Sequence, residues 1–195
     1  DAYDTGTDIA FANNVFTDPG DQILFAANSD TVTFTGNRVT GTVSGDNDLV
    51  FLAGNWNGAT GTTIDISDNV VSGLAGKSGF NLSSVHGTIA DNIIDGVSYY
   101  GFLLANDTDV EVTGNTFQHI TNPDPSVLTW GAGIRTFTPG PEFHLVLDGN
   151  QFIDNAVGLG IRTGSVIDPS DLIVTNNTFS GLNQVHIVNQ GDAST

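Results

Sequence analysis

Seven copies of one short pattern run the length of this chain: apolar, any, apolar, any, any, Asn, any, apolar. Asn14 is framed by Ile9, Phe11 and Phe16, Asn37 by Val32, Phe34 and Val39, and Asn69 by Ile64, Ile66 and Val71. The pattern returns around Asn92 (Ile89, Ile94), Asn115 (Val110, Val112, Phe117), Asn150 (Leu145, Leu147, Phe152) and Asn177 (Leu172, Val174, Phe179). The asparagines are spaced by 23, 32, 23, 23, 35 and 27 residues. Internal repeats of this period mark a solenoid, in which each unit buries its apolar face against its neighbours. A unit of 23 residues has no room for a strand and a crossover helix, so these units are coils of strand.

Within a unit, the two apolar positions before Asn are separated by one residue, so both side chains point into one core. The chain then turns at Asn, a residue that tolerates the left-handed conformation and that can bond to its copies in a ladder. The apolar residue two places later points inward again. A second pattern lies between these motifs, at Gln22–Phe25, Asp48–Phe51, Gly79–Leu82, Gly101–Leu104, Gly131–Ile134, Gly158–Ile161 and Gln184–Ile187. The sequence therefore predicts an all-β, single-domain parallel β-helix of about seven coils over residues 1–195, with three short strands per coil, an Asn ladder at a turn and a spacing of about 4.8 Å between coils. Extra residues between Asn37 and Asn69, Asn115 and Asn150, and Asn150 and Asn177 read as insertions, which solenoids place in loops on one face.

These seven motifs resemble the right-handed parallel β-helix repeats of the pectin-lyase-like superfamily, and they cover nearly the whole chain. The resemblance implies the fold. It leaves the activity open, because the superfamily includes polysaccharide lyases, glycoside hydrolases, uronan epimerases, phage tailspikes and surface adhesins. The Asp-Pro-His string of alginate epimerases does not occur here, nor do the paired-aspartate and Gly-His-Gly strings of polygalacturonases. No amphipathic capping helix is visible near either terminus, and the chain has no Met. Both features predict a module of a longer protein, begun after processing or excision, whose end coils contact flanking domains or other chains.

Charge narrows the classes of partner. Asp and Glu total 22 against 4 Lys and Arg, for a net charge of −18. A chain with so few cations cannot build a basic patch, which excludes nucleic acid and argues against an anionic membrane surface. No apolar run is long enough to cross a bilayer, so no membrane insertion is expected. The acidity suits a secreted or salt-tolerant protein located outside the cell or at its surface. It also makes calcium the expected ion, because hard carboxylate oxygens in flexible turns suit it. The clusters that could hold calcium are Asp18/Asp21, Asp46/Asp48, Asp107/Asp109 with Glu111, and Asp168/Asp171.

A solenoid converts spacing into columns. The position before the first inward residue holds Asp8, Thr31, Thr63, His86, Asp109, His144 and Asp171. The last four alternate imidazole and carboxylate, an arrangement suited to metal ligation, to acid/base work or simply to an ion-pair ladder. A second column, counted from the Gly-containing strings, stacks Arg135 on Arg162. Two guanidinium groups on adjacent coils can clamp a carboxylate, sulfate or phosphate. Tyr99, Tyr100 and Trp130 gather on the same coils, and the proline-rich insertion Thr121–Phe143 forms a wall beside them. Together these residues sketch a substrate-binding groove for a polysaccharide or glycan on coils four to six. By the same count Leu24, Val50, Leu52 and Leu103 face outward as an apolar contact stripe, to be covered by the insertion containing Trp56 or by another chain.

Two functions follow. The first is an extracellular β-helix module with a structural, adhesive or glycan-contacting role. The second is a polysaccharide-acting lyase, epimerase or hydrolase using the same groove, with Asp107, Asp109, Glu142, His144 and Arg135 as candidate catalytic residues.

Overall fold

The computed structural model describes residues 7–41, 48–54, 61–163, 169–181 and 183–189. The described residues form three parallel sheets of seven strands each, every strand pairing with its equivalents one coil away. Sheet I holds Asp8–Ala12, Thr31–Thr35, Thr62–Ser67, Val85–Ala90, Asp109–Thr113, His144–Asp148 and Leu172–Thr175. Sheet II holds the three-residue strands Val15–Thr17, Arg38–Thr40, Val70–Ser72, Ile93–Asp95, Thr116–Gln118, Gln151–Ile153 and Thr178–Ser180. Sheet III holds Leu24–Ala27, Asp48–Ala53, Ser78–Ser83, Tyr100–Asn106, Ala132–Pro139, Val157–Thr163 and Val185–Asn189. The chain visits sheets I, II and III in turn on each circuit, which makes a parallel β-helix of seven coils, as the repeat predicts. No described helix is long and apolar enough to cross a membrane.

The ladder occupies the corner between sheets I and II. The Nδ2 and backbone N of each asparagine donate to Oδ1 of the next, at 2.8 to 3.1 Å, from Asn14 through Asn37, Asn69, Asn92, Asn115 and Asn150 to Asn177. The second Nδ2 hydrogen reaches a backbone carbonyl on the preceding coil, as from Asn92 to Ile66 at 2.8 Å. The ladder side chains therefore point into the core, and Asn69, Asn92, Asn115 and Asn150 are fully buried. This corrects the expected turn chemistry. The left-handed residue is the one before each ladder asparagine: Asn13, Gly36, Asp68, Asp91, Gly114, Gly149 and Asn176 all have φ between 54° and 67°. Glycine, Asn and Asp suit that conformation, which leaves the ladder residue free to serve as an internal bonding group.

The interior is built around aromatic rings contributed by every coil. Phe34 meets Phe80 edge-on, Phe80 stacks on Phe102 at 4.7 Å between ring centroids, and Phe102 meets Phe117 edge-on. Phe117 then stacks on Phe152 at 5.2 Å and Phe152 on Phe179 at 4.7 Å. Aliphatic residues from all three sheets fill the space around this column.

Register on sheet III differs from expectation. Leu24, Val50 and Leu52 point inward and belong to the core; of the expected outward stripe only Leu103 lies on the outer face. The pairing runs Leu24, Val50, Phe80, Phe102, Ile134, Leu159 and Val185 in one inward column. On coil five the glycine that matches Gly101 is Gly133, whereas Gly131 sits in the preceding turn with φ of 78°. The physical reason is room: a Cβ at Gly133 would lie 2.6 Å from the Phe152 ring, and one at Gly158 would lie 2.8 Å from the Phe179 ring. Of the three insertions, the residues of the first fall largely, and those of the third wholly, outside the described residues, as does Trp56.

One buried group works against the fold. Lys77 has no exposed surface, and its Nζ has no hydrogen-bond partner. An unpaired polar group under such burial is destabilising by about 1–3 kcal/mol. Lys77→Met, which keeps the volume and removes the ammonium, should raise the unfolding free energy by an amount in that range, measured as the shift in urea midpoint. An unchanged or lower midpoint would show that Nζ finds a partner in solution.

Candidate functional site

The outer face of sheet III carries a groove across coils two to five. One part is lined by Phe51, Asn81, Tyr100, Leu103, Arg135 and Phe137, and an adjoining part by Ser78, Tyr99, Tyr100, Trp130 and Arg135. Tyr100 and Arg135 are common to both. The flat strands place these side chains: Phe51, Asn81, Leu103 and Arg135 form one outward column on successive coils. Tyr100 and Leu103 seed a small apolar cluster outside the main core, with Tyr99 and Phe137 packed on it.

From the insertion ahead of the strand Ala132–Pro139, Trp130 lines the groove. The insertion's Asn-Pro-Asp-Pro segment is pinned by local bonds, with Asn122 Oδ1 accepting from the backbone N of Asp124 and Asp124 Oδ1 accepting from both N and Oγ of Ser126. The turns that follow deliver Thr129 and Trp130 to the groove. Trp130 meets Tyr99 edge-to-face at 5.0 Å between centroids. Arg135 Nε donates to Thr129 Oγ1 at 3.0 Å, and its guanidinium carbon lies 5.3 Å from the centroid of the Phe137 ring. Arg135 is only 8% exposed.

A residue outside the expected site anchors two of its lining side chains. Asp48, at the start of its sheet III strand, accepts a short hydrogen bond from the Tyr100 hydroxyl on Oδ1 and one from Asn81 Nδ2, at 2.8 Å, on Oδ2. Burial pushes the Tyr100 hydroxyl pKa far up, and the Asp48 charge and hydrogen bond push it further, so Tyr100 remains a proton donor to Asp48. The sequence offers Asp48 only as a calcium candidate. Its groove partner lies 52 residues away, and no local motif announces the pair.

The two arginines are not stacked. Arg135 pairs with Gly160, and Arg162 stands two positions further along its strand, paired with Val188; the Arg162 side chain lies outside the described residues. The cause is the two-residue offset between Gly131 and Gly133 noted above.

The other candidates lie on sheet I and the corner before it. Asp8, Thr31, Thr63, His86, Asp109 and His144 do share one column. Within it the groups sort into pairs: His86 Nε2 bonds Thr63 Oγ1 at 2.8 Å, and His144 Nδ1 bonds Asp109 Oδ1 at 2.9 Å. Asp171 ends a 3-10 turn, Pro169–Asp171, just before the last sheet I strand. Asp107 is turned into the short loop beyond Pro139, where its Oδ1 accepts the backbone N of Glu142 at 3.2 Å. A further pair that sequence reasoning missed, His119 Nδ1 with Asp95 Oδ1 at 2.8 Å, spans two coils beside sheet II. Among the described residues no group of three or more His, Asp or Glu side chains is gathered as a metal site. Of the proposed calcium clusters, Asp46 and Asp168 lie outside the described residues, Asp48 is engaged by Tyr100 and Asn81, and nothing in the others supports calcium.

Three parallel sheets, an internal asparagine ladder and an outer groove define the class: a right-handed parallel β-helix of the pectin-lyase-like type. Within that class the chain belongs to the family described as "Periplasmic copper-binding protein (NosD)", which matches residues 3–194. Comparison with curated proteins and with solved structures finds no match. A family described as periplasmic agrees with the location outside the cytoplasm expected from composition.

The family description raises copper, and the donors present can be set against it. Copper(I) favours thiolate and thioether ligands, and this chain contains neither Cys nor Met. Imidazole suits copper(II), yet His86, His119 and His144 each engage a different single partner. The described residues do not fit a resident copper centre.

Proposed function

We propose that this chain is an extracytoplasmic β-helix module that contacts carbohydrate through the sheet III groove. The observation that carries the reading is the groove itself, where aromatic side chains sit beside groups that donate and accept hydrogen bonds. Tyr99 and Trp130 present apolar surface of the kind on which a sugar ring packs, and Tyr100, Asn81 and Arg135 bring polar groups to its lining. The rigid stack of coils fixes these groups without any change of backbone shape. Arg135 acts from the wall, held by Thr129 and Phe137. Contact rather than turnover is favoured because Asp109 and His144 are paired with each other on sheet I and Asp107 is bonded to its own loop. The acids that hydrolysis would require as a pair across a groove are thus already engaged elsewhere.

Trp130→Ala should weaken binding of the best ligand on a glycan array by about tenfold, the factor that corresponds to loss of one aromatic anchor. Arg135→Ala should weaken it too, because the groove wall loses its support. Binding unaffected by either change, or no glycan bound by the unaltered protein, rejects the groove as the contact site.

A further inference from the structure

Two polar side chains of the groove lining, Tyr100 and Asn81, share one anchor outside it. The Tyr100 hydroxyl donates to Asp48 Oδ1, and Asn81 Nδ2 donates to Asp48 Oδ2 at 2.8 Å. A carboxylate only accepts, so both bonds have a forced direction. Asp48 is paired with Ser78 on the next coil, and Ser78, also in the lining, gives the phenol oxygen a hydrogen bond of its own. The bonds therefore run one way, from Ser78 to Tyr100 to Asp48, and end on the charge. A hydroxyl carries a single hydrogen. Tyr100 has spent its hydrogen on Asp48, and what it keeps for a ligand is lone-pair density. Asn81 keeps Oδ1 and its second amide hydrogen. Arg135, present in both parts of the groove, is the opposite case, a donor that accepts nothing.

We infer that Asp48 is a positioning residue that sets the hydrogen-bond polarity of the groove: it holds Tyr100 as an acceptor toward the ligand, so the saccharide must bring a free hydroxyl to that contact. The inference rests on the carbohydrate reading above. Asp48 acts through Tyr100 and does not itself touch the sugar. A free hydroxyl donates to the phenol oxygen and can still accept from a donor such as Arg135. An ether oxygen in the same place accepts only, and it leaves two acceptors facing each other in a partly desolvated site, where an unpaired polar group is costly. A site built around a ligand hydroxyl rejects the analogue that lacks its hydrogen for this reason.

The test titrates cello-, manno- and xylohexaose, and the per-O-methyl ether of each, into the unaltered protein, Asp48→Ala and Tyr100→Phe by calorimetry. The expected result is binding of at least one free hexasaccharide, with its ether about tenfold weaker or worse. In Asp48→Ala the phenol hydrogen is released to the ligand, and in Tyr100→Phe the acceptor is gone, so in both the gap should narrow by about threefold or more. A residue that only supported the fold would weaken both ligands alike and leave the gap unchanged. An ether that binds the unaltered protein as tightly as the free sugar overturns the polarity and leaves the carbohydrate reading standing. Binding of no hexasaccharide overturns both. A gap unchanged in Tyr100→Phe overturns the role given to the phenol, and one that narrows there but not in Asp48→Ala overturns the assignment to Asp48. Should Asp48→Ala fail to fold by circular dichroism, Asp48→Val, which fills more of the volume and still lacks an acceptor, takes its place with the same expectation.

Discussion

Replacing Asn92 with alanine lowers the unfolding free energy by about 3–5 kcal/mol, because several buried backbone and side-chain groups lose partners at once. The Oδ1 of Asn92 accepts from the backbone N and the Nδ2 of Asn69 at 3.0 and 2.8 Å. Its Nδ2 donates to the carbonyl of Ile66 and to Oδ1 of Asn115, both at 2.8 Å. Alanine removes all four bonds and leaves the Asn69 amide and the Ile66 carbonyl buried without those partners. Each such orphan costs about 1–3 kcal/mol. Asp is a poor substitute as well, since its carboxylate cannot donate to either acceptor. Asn14→Ala is the internal comparison. Asn14 is exposed and, among the described residues, its side chain makes one bond to the ladder, so its loss should cost about 1 kcal/mol. Urea denaturation of both variants checks the pair. Equal losses at the two positions would mean that the ladder is decorative and that sheet pairing alone holds the coils.

The same ladder explains why the fold was legible. Its asparagines repeat without exception through seven coils, and the inward residues of sheet I keep a fixed distance from them. Every circuit therefore carries its own ruler for sheets I and II, and the column from Asp8 to His144 falls where that ruler puts it. Sheet III has no such marker. It follows the second corner, where coils differ in length, and the strings that seem to mark it begin with glycines of different kinds. Gly101 and Gly133 lie in strands and make room for rings of the core, whereas Gly131 belongs to a turn. A strand has a period of two, so a slip of one residue exchanges core for surface. That slip turned Leu24, Val50 and Leu52 outward, and a slip of two stacked Arg135 on Arg162.

Part of the groove could be read for a different reason. Tyr99 immediately precedes its sheet III strand, Tyr100 opens it and Trp130 lies just before the next, so their gathering survives any small error of register. Asp48 could not be read in this way. Its contact with Tyr100 crosses the intervening strand Ser78–Ser83 and depends on the side chain reaching over a neighbour rather than on spacing along the chain. The second, shorter ladder was also hidden. Asn155 Oδ1 accepts from the backbone N of Ile120, and Asn183 Oδ1 from that of Asn155, at the corner between sheets II and III. Earlier coils fill this corner with Leu74 and Val97, so no repeat announces it.

The second large effect is expected in the ring column. Phe117→Ala should cost about 3–5 kcal/mol, the range for deleting a buried aromatic side chain. Phe117 is fully buried, meets Phe102 edge-on at 5.8 Å and stacks on Phe152 at 5.2 Å. Its surroundings cannot close the gap. A Cβ at Gly101 would lie 2.8 Å from the ring, which shows how closely the sheet III backbone approaches it. That backbone is held in place by pairing with both neighbouring coils, so it cannot collapse into the space. Phe117→Leu fills part of the volume and should cost about 1–2 kcal/mol less than alanine, with some loss remaining because a branched side chain cannot lie flat between Phe152 and the glycine strand. Thermal or urea unfolding distinguishes the two. A loss below about 1 kcal/mol for Phe117→Ala would mean that the coils slide together over the cavity. The ring column would then be filling rather than framework, and the rigidity on which the groove depends would have to come from the asparagine ladder alone.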